Sequence, residues 1–405
     1  MLWPAVLEGA AMLWFGGPFL LHHARCRRAL AGAEEVHVRN PSKEVCSSTT
    51  ILLPTWNEAT VIERRLDNLA AQRINGGTPA EAGLRLLLID SASTDATVDL
   101  ARSWLAEHPD AFASHEVVCM DAREGKSAAV ERALGHLRNA KHTEVVVMVD
   151  ADATCDVGAL SVLLGCLTDE EVGAVGGTPR RHGATPREVE HRRRFSDLRR
   201  AEGAMGATPF LEGSLLAFRL AAVSEQALDP RSNADDAQIT LDIAAQGWRT
   251  IQHPFAVFAD RVPSTARGRA KQRTRRARGL LRVLRRYRRL RSPQHLGRTL
   301  RFQRHAHLRA PWLALGVTVG AAARWTVHLN EGSLPWANPV DAGLVVLEAL
   351  GIVCLMAGLL ERRLPGPLAG LSTVLAGMLP LLKAWCMDLV GRPAHLWEPN
   401  TDARR

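Results

Sequence analysis

With 405 residues, 46% of them apolar and 23% charged, the chain is long enough for two structural parts and is not a disordered or collagen-like polymer. Its 51 Lys and Arg exceed its 42 Asp and Glu by a formal charge of +9. Arg261–Arg309 carries 18 of the basic residues and no acid, however, so the surplus belongs to one strip. Seven scattered cysteines with no C-x-x-C pair exclude a disulfide scaffold and a structural zinc site, and predict reduced, buried thiols.

The first apolar stretch, Leu2–Leu21, is interrupted only by Glu8 and followed by Arg25, Arg27 and Arg28. It lacks a basic start and an A-x-A-like exit, so residues 1–24 read as a membrane anchor and not as a cleaved signal peptide. The positive-inside rule then puts Arg25 to Arg309 in the cytoplasm.

From residue 45 to 260 short apolar runs alternate with periodic helices. Thr50–Leu53 reads as a strand ended by Pro54, and a helix with the stripe Val61, Ile62, Leu66, Leu69 follows. Leu84–Ile89 is a buried strand before a helix over Ala96–Leu105. Glu116–Met120 precedes a helix over Lys126–Leu137, and Glu144–Val149 precedes one over Val157–Leu167. The pattern predicts βαβ units in an α/β fold with a mostly parallel sheet. Ligands of such sheets sit beyond the carboxyl ends of the strands.

The loops at those ends carry polar residues: Pro54-Thr55-Trp56-Asn57-Glu58, Asp90-Ser91-Ala92-Ser93-Thr94-Asp95, Asp121 to Ser127, and Asp150-Ala151-Asp152. Two carboxylates at i and i+2 leaving a buried strand can share Mg²⁺ or Mn²⁺ with diphosphate oxygens. The plainer alternative is a solvated turn with a helix cap. Asp90 can accept from a pyrimidine N–H and Glu58 can engage ribose hydroxyls. Arg123 lies in the third loop, where Gly125-Lys126 lets backbone and ammonium approach phosphate or base. Turn-forming Asp, first-turn Glu and surface Lys are the competing readings. The pattern is neither G-x-G-x-x-G nor a P-loop, which argues against dinucleotide redox chemistry and ordinary NTP hydrolysis.

Further along, Ala234-Asp235-Asp236 opens a helix ending at Gly247, where a carboxylate can serve as general base or simply cap the helix. Gly213-Ser214 allows a close backbone approach to an acceptor. Gln272, Arg273, Arg275 and Arg276 lie in the basic strip, and guanidinium forks suit phosphate. Leu280, Leu281, Leu284 and Leu290 interleave with the strip's arginines, as in an interfacial amphipathic helix over 261–310. Nucleic acid is the competing partner, yet Arg273–Arg291 has only one aromatic residue, Tyr287, for base stacking, so anionic headgroups fit better.

Three apolar stretches close the chain: Pro311–Leu329 with Arg324 inside, Val340–Leu360, and Gly366–Val390. Each is long enough to span ~30 Å of hydrocarbon. The loop Asn330–Asn338 has no Lys or Arg and suits the outside, and Glu361-Arg362-Arg363 falls inside. Alternation would then leave the tail, 391–405, outside despite its Arg404-Arg405. Either Leu2–Leu21 or Gly366–Val390 can instead lie in the interface. A transporter is disfavoured by the lack of inverted repeats.

Taken in order, these motifs resemble membrane-bound inverting glycosyltransferases of family 2, the cellulose, hyaluronan and poly-N-acetylglucosamine synthase-like enzymes, from about Thr50 to Gly279. The resemblance implies a GT-A (Rossmann-like) nucleotide-sugar domain in the cytoplasm, with transmembrane and interfacial helices. Ile89-Asp90-Ser91-Ala92-Ser93-Thr94-Asp95 resembles the D-D-G-S-x-D turn, with Ser91 and Ala92 departing from Asp and Gly. Gly125-Lys126 matches the family's G-K, and Asp150-Ala151-Asp152 its metal-binding D-x-D. Asp235-Asp236 is similar to the E-D pair whose second residue is the base, which implies that role for Asp236. Gln272 to Arg276 resembles Q-x-x-R-W, but Arg276 stands where Trp would cap an acceptor sugar, which speaks against processive synthesis. The resemblance implies a nucleotide-sugar donor, UDP-linked by expectation, and a lipid-linked or saccharide acceptor. A polyprenyl- or dolichyl-phosphate sugar synthase and a non-catalytic tethered binding protein are the alternatives.

Overall fold

The structure, a computed structural model, describes residues 2–33, 37–182, 186–261, 263, 265–290, 293–336 and 338–391. A 30-residue helix, α1 (Leu2–Ala31), opens the chain and runs seven residues past the expected anchor, 1–24. After a short helix α2 (Lys43–Ser47) come β1 (Thr49–Thr55), α3 (Ile62–Ala70), β2 (Arg85–Asp90), α4 (Thr97–Glu107), β3 (Ser114–Cys119), α5 (Lys126–Ala140) and β4 (Val145–Val149). These strands pair in parallel in the order β3-β2-β1-β4, as the alternating pattern predicts.

Pro54 does not end the first strand. Its neighbour β4 pairs only as far as Leu52, whereas β2 pairs through Thr55, so the missing N–H of Pro54 costs no ladder bond on the β4 side. The period of two along each strand sorts the core. Ile51, Leu53, Leu86, Leu88, Val145 and Val147 pack with Leu66, Trp104 and Leu163 on one face. Leu52, Leu87, Val146 and Met148 pack with Val130, Leu134 and Ile239 on the other. All are essentially inaccessible to water, and a fully buried leucine contributes about 1.5–3 kcal/mol.

The second half of the sheet is not parallel throughout. It comprises β5 (Thr154–Cys155), α6 (Ala159–Cys166), β6 (Val172–His182), α7 (Pro186–Ala204), β7 (Leu215–Arg219), α8 (Asp235–Ala245) and β8 (Arg249–Arg261). The full order is β3-β2-β1-β4-β7-β6-β8-β5, with β7 antiparallel to both β4 and β6.

Beyond the sheet lie α9 (Ala266–Arg286), α10 (Gln294–Arg304), a π-helical turn at His305–Arg309, α11 (Ala310–Glu331), α12 (Pro339–Leu359) and α13 (Gly366–Leu389). Among the described residues, three helical segments are long and apolar enough to cross a membrane: Trp3–Ala31, Pro339–Leu359 and Gly366–Leu389. The expected span Pro311–Leu329 is not one of them, because Arg324, Trp325 and His328 make the second half of α11 too polar.

The leucines of the basic strip are also differently employed than expected. Leu281 packs with Leu381 and Ala384 of α13, and Leu284 with Leu241 and Leu296, so the protein itself covers this part of the apolar face of α9. Arg269, Arg273, Arg278, Arg282 and Arg285 pair with Glu361, Glu188 and Asp388. The cysteines are all free, but only four are buried, and Cys119 and Cys386 are exposed. Tail residues 392–405, with Arg404 and Arg405, lie outside the described residues.

Candidate active site

The carboxyl ends of β1 to β4 open onto one cavity of about 290 Å³. Pro54, Thr55 and Glu58 reach it from the first loop, Ser91 from the second, Arg123, Gly125 and Lys126 from the third, and Asp150 and Asp152 from the fourth. Gly213, Ser214, Asp235 and Asp236 form the opposite wall, and Gln272, Arg275 and Arg276 of α9 close it. Three sequence candidates stand elsewhere. Asn57 and Asp90 belong to the loop scaffold: Asp90 accepts hydrogen bonds from Thr55 Oγ1 (2.9 Å), Ser93 N (2.7 Å) and Ser93 Oγ (2.6 Å). Asn57 donates its backbone N–H to Ser93 Oγ and accepts from Thr94 N on its side-chain Oδ1, both at 2.8 Å. Arg273 turns away to Glu188 at 2.9 Å.

Backbone geometry explains how the loops present these groups. Gly125, the residue before α5, has φ +93°, a conformation that glycine adopts without strain, and it delivers Lys126 as the first residue of the helix. Lys126 Nζ reaches Asp150 Oδ1 at 2.6 Å and Asp235 Oδ2 at 3.2 Å, joining the first half of the sheet to α8. Ser214 Oγ donates to Asp150 Oδ2 at 2.8 Å. Gly213 N donates to Asp236 Oδ2 at 3.1 Å, and Ala237 N donates to its other oxygen at 2.8 Å.

Charge coupling follows from these distances. Burial alone would lower the Lys126 ammonium, but Asp150 and Asp235 overcome it and hold it above its usual range. Burial would raise Asp150, yet Lys126 and Ser214 keep it below the usual carboxylate range. Asp236 goes the other way: burial, then the adjacent Asp235, push it up to about 6. Burial and the neighbouring Arg276 pull Arg275 down to about 10 against the attraction of Asp150, Asp152 and Asp235. The cavity therefore holds one deprotonated carboxylate clamped by a cation and one poised near neutrality.

Sequence reasoning missed several wall residues. Trp56 lies under the Arg123 guanidinium, 3.4 Å from ring centroid to carbon, and the P-T-W-N-E run was the available signal. Arg199, Glu212, Glu202, Gln303 and His307 also line the cavity, supplied by α7, α10 and their neighbours. Glu212 accepts from both Arg192 (2.8 Å) and Arg199 (2.7 Å). No motif marks these positions, because only packing of the basic helices onto the sheet brings them in.

The donor set is hard oxygen, suited to Mg²⁺ or Mn²⁺. Among the described residues no group of three or more His, Cys, Asp or Glu could hold an ion by itself. A cation held by Asp150 and Asp152 would therefore complete its shell with water or with oxygens of a bound diphosphate, and the Lys126 ammonium already sits beside Asp150.

The chain from residue 50 to 228 matches the model of glycosyl transferase family 2, and 145 to 360 that of glycosyl transferase family group 2. No curated protein matches it. Among solved structures, it is similar to a mannosyltransferase, PcManGT from Pyrobaculum calidifontis, in complex with GDP-Man and Mn²⁺. The two share 28% identity over 95% of this chain and 99% of that one, with a TM-score of 0.74. S. aureus TarS 1-349 in complex with UDP is 14% identical, over 85% and 92% of the two chains, at a TM-score of 0.43. The chain belongs to glycosyltransferase family group 2 and is a GT-A nucleotide-sugar transferase.

Proposed function

We propose that the chain transfers a sugar, with inversion, from a nucleotide sugar to a lipid-linked or saccharide acceptor at the cytoplasmic face of a membrane. The observation that carries this reading is the meeting of Asp236 with Lys126, Asp150 and Asp152 around one cavity. Asp236 takes the proton of an acceptor hydroxyl. The resulting oxygen attacks the anomeric carbon opposite the diphosphate, a carbon–oxygen bond forms as the sugar–phosphate bond breaks, and nucleoside diphosphate leaves. Lys126 and Arg275 face that leaving group. When bound, Mg²⁺ or Mn²⁺ on Asp150 and Asp152 would offset its negative charge.

The mannosyltransferase similarity favours GDP-mannose as donor over the UDP-linked sugar expected from the motifs. Arg276 in place of an acceptor-stacking Trp favours single transfers over polymer synthesis. We assign residues 45–260 to the transferase domain, 1–24 to the anchor, 261–310 to basic helices beneath it, 311–390 to the apolar helices and 391–405 to a tail.

The test is nucleoside diphosphate release by purified protein in detergent, with Mn²⁺ or Mg²⁺, GDP- and UDP-sugars, and lipid-linked or saccharide acceptors. Expected is metal-dependent release with GDP-mannose, lost in Asp152→Asn, and a product of inverted anomeric configuration by NMR. A product of retained configuration, or undiminished release by Asp152→Asn, overturns the mechanism.

A further inference from the structure

The last apolar helix, α13, is long enough to cross a bilayer, yet both of its ends touch the transferase domain or the basic helix beneath it. At the start, Arg194 of α7 donates to Gly366 O at 3.2 Å. Just before it, Glu361 takes a two-pronged pair from Arg269 of α9, Nε at 2.9 Å and Nη2 at 2.7 Å. At the other end, Asp388, whose side chain is 5% exposed, meets Arg278 (3.3 Å), Arg282 (3.4 Å) and Arg285 (2.9 Å). Those three arginines follow at i, i+4 and i+7 and so share one face of α9. Trp385 lies under Arg285 at 3.8 Å.

Were α13 to cross, its last turn would sit ~30 Å from its first along the membrane normal. Asp388 would then carry Arg278, Arg282 and Arg285 to the far side. The same stretch of α9 carries Gln272, Arg275 and Arg276 on the cavity wall, so that displacement is impossible. Arg324 of α11 supplies the complementary observation. It is buried between Glu8 of α1 at 2.9 Å and Glu348 of α12 at 2.6 Å, which compensates the charge that makes α11 too polar to insert alone.

We propose that α13 lies along the catalytic-side surface of the membrane beneath α9, while α1, α11 and α12 cross. Asp388 is then a positioning residue that holds the phosphate-facing side chains of α9 in place. Leu379, exposed on α13, faces the acyl boundary. The proposal rests on the membrane association read above, but its first test needs no activity.

Single cysteines at Arg362→Cys and Leu389→Cys, with Cys119, Cys166 and Cys386 replaced, are probed with an impermeant maleimide in sealed vesicles of known orientation. A Cys119-only protein marks the catalytic side. Both sites should label from that side, and labelling of Leu389→Cys from the opposite side alone overturns the in-plane placement. In the intact enzyme, Asp388→Asn should raise KM for the nucleotide sugar on the order of tenfold, with Asp388→Glu recovering most of it. A lower Tm with KM and kcat both unchanged overturns the positioning role.

Discussion

In the proposed mechanism, Asp236 is the residue on which the chemistry turns. Its carboxyl is pushed up to about 6 by burial and by Asp235. As a base it acts only when deprotonated, so kcat/KM should rise about tenfold per pH unit below about 6 and level off above it, as a pH–rate profile will show. The stability sign is opposite: a raised carboxyl pKa favours folding at low pH, and that contribution is lost as pH climbs from the ordinary aspartate value of 3.8 through about 6. Asp236→Asn should cut turnover by on the order of 10²–10⁴-fold while donor binding by calorimetry persists. Ala92 illustrates a different residue-scale effect. It stands where the family motif has Gly and adopts φ +56°, so Ala92→Gly should stabilise by up to about 1 kcal/mol, read as a higher Tm. Both residues were legible in the motifs. Asp90 was legible too, but its three local hydrogen bonds could be seen only once the turn had closed.

Among the elements, α9 comes closest to the segment that leads into α8 at a glycine. A Cβ on Gly279 would stand 2.7 Å from Ala234 Cβ and 2.8 Å from Asn233 O, both on the segment that leads into Asp235 and Asp236. Asn233 in turn donates from Nδ2 to Arg275 O at 2.8 Å. Gly279→Ala should therefore cost about 1–3 kcal/mol in denaturant melts and weaken turnover by moving the two walls apart. The parallel strands β1 to β4 were readable because each is a compact apolar run followed by a periodic helix. The antiparallel β7 and the mixed β6 and β8 were not, since long polar intervals separate them and their partners lie far away in sequence. The apolar stripe of α9 was visible, but a stripe does not say whether lipid or protein will cover it. Here Leu281 and Leu284 are covered by protein.

At the scale of the whole molecule, buried charge ties the helical bundle together. Arg324 is 1% exposed and pairs with Glu8 and Glu348, carboxylates contributed by helices at the two ends of the sequence. Arg324→Ala leaves those acids buried and uncompensated, so thermal unfolding in detergent should show a loss of about 3–5 kcal/mol. Adding Glu8→Gln and Glu348→Gln should recover much of it, because the penalty lies in the orphaned charges and not in the missing side chain.

Local chemistry written in the sequence, namely strand hydrophobicity, turn residues and the spacing of carboxylates, was enough to determine the parallel half of the sheet and most of the loops that line the cavity. Those signals act over a few residues and need no distant partner. What only the tertiary structure decided is which long-range charges find one another: Lys126 between Asp150 and Asp235, Arg324 between Glu8 and Glu348, and Asp388 beneath α9. Coulomb attraction and burial depend on separation in space, and a linear sequence does not fix that separation until the chain has packed.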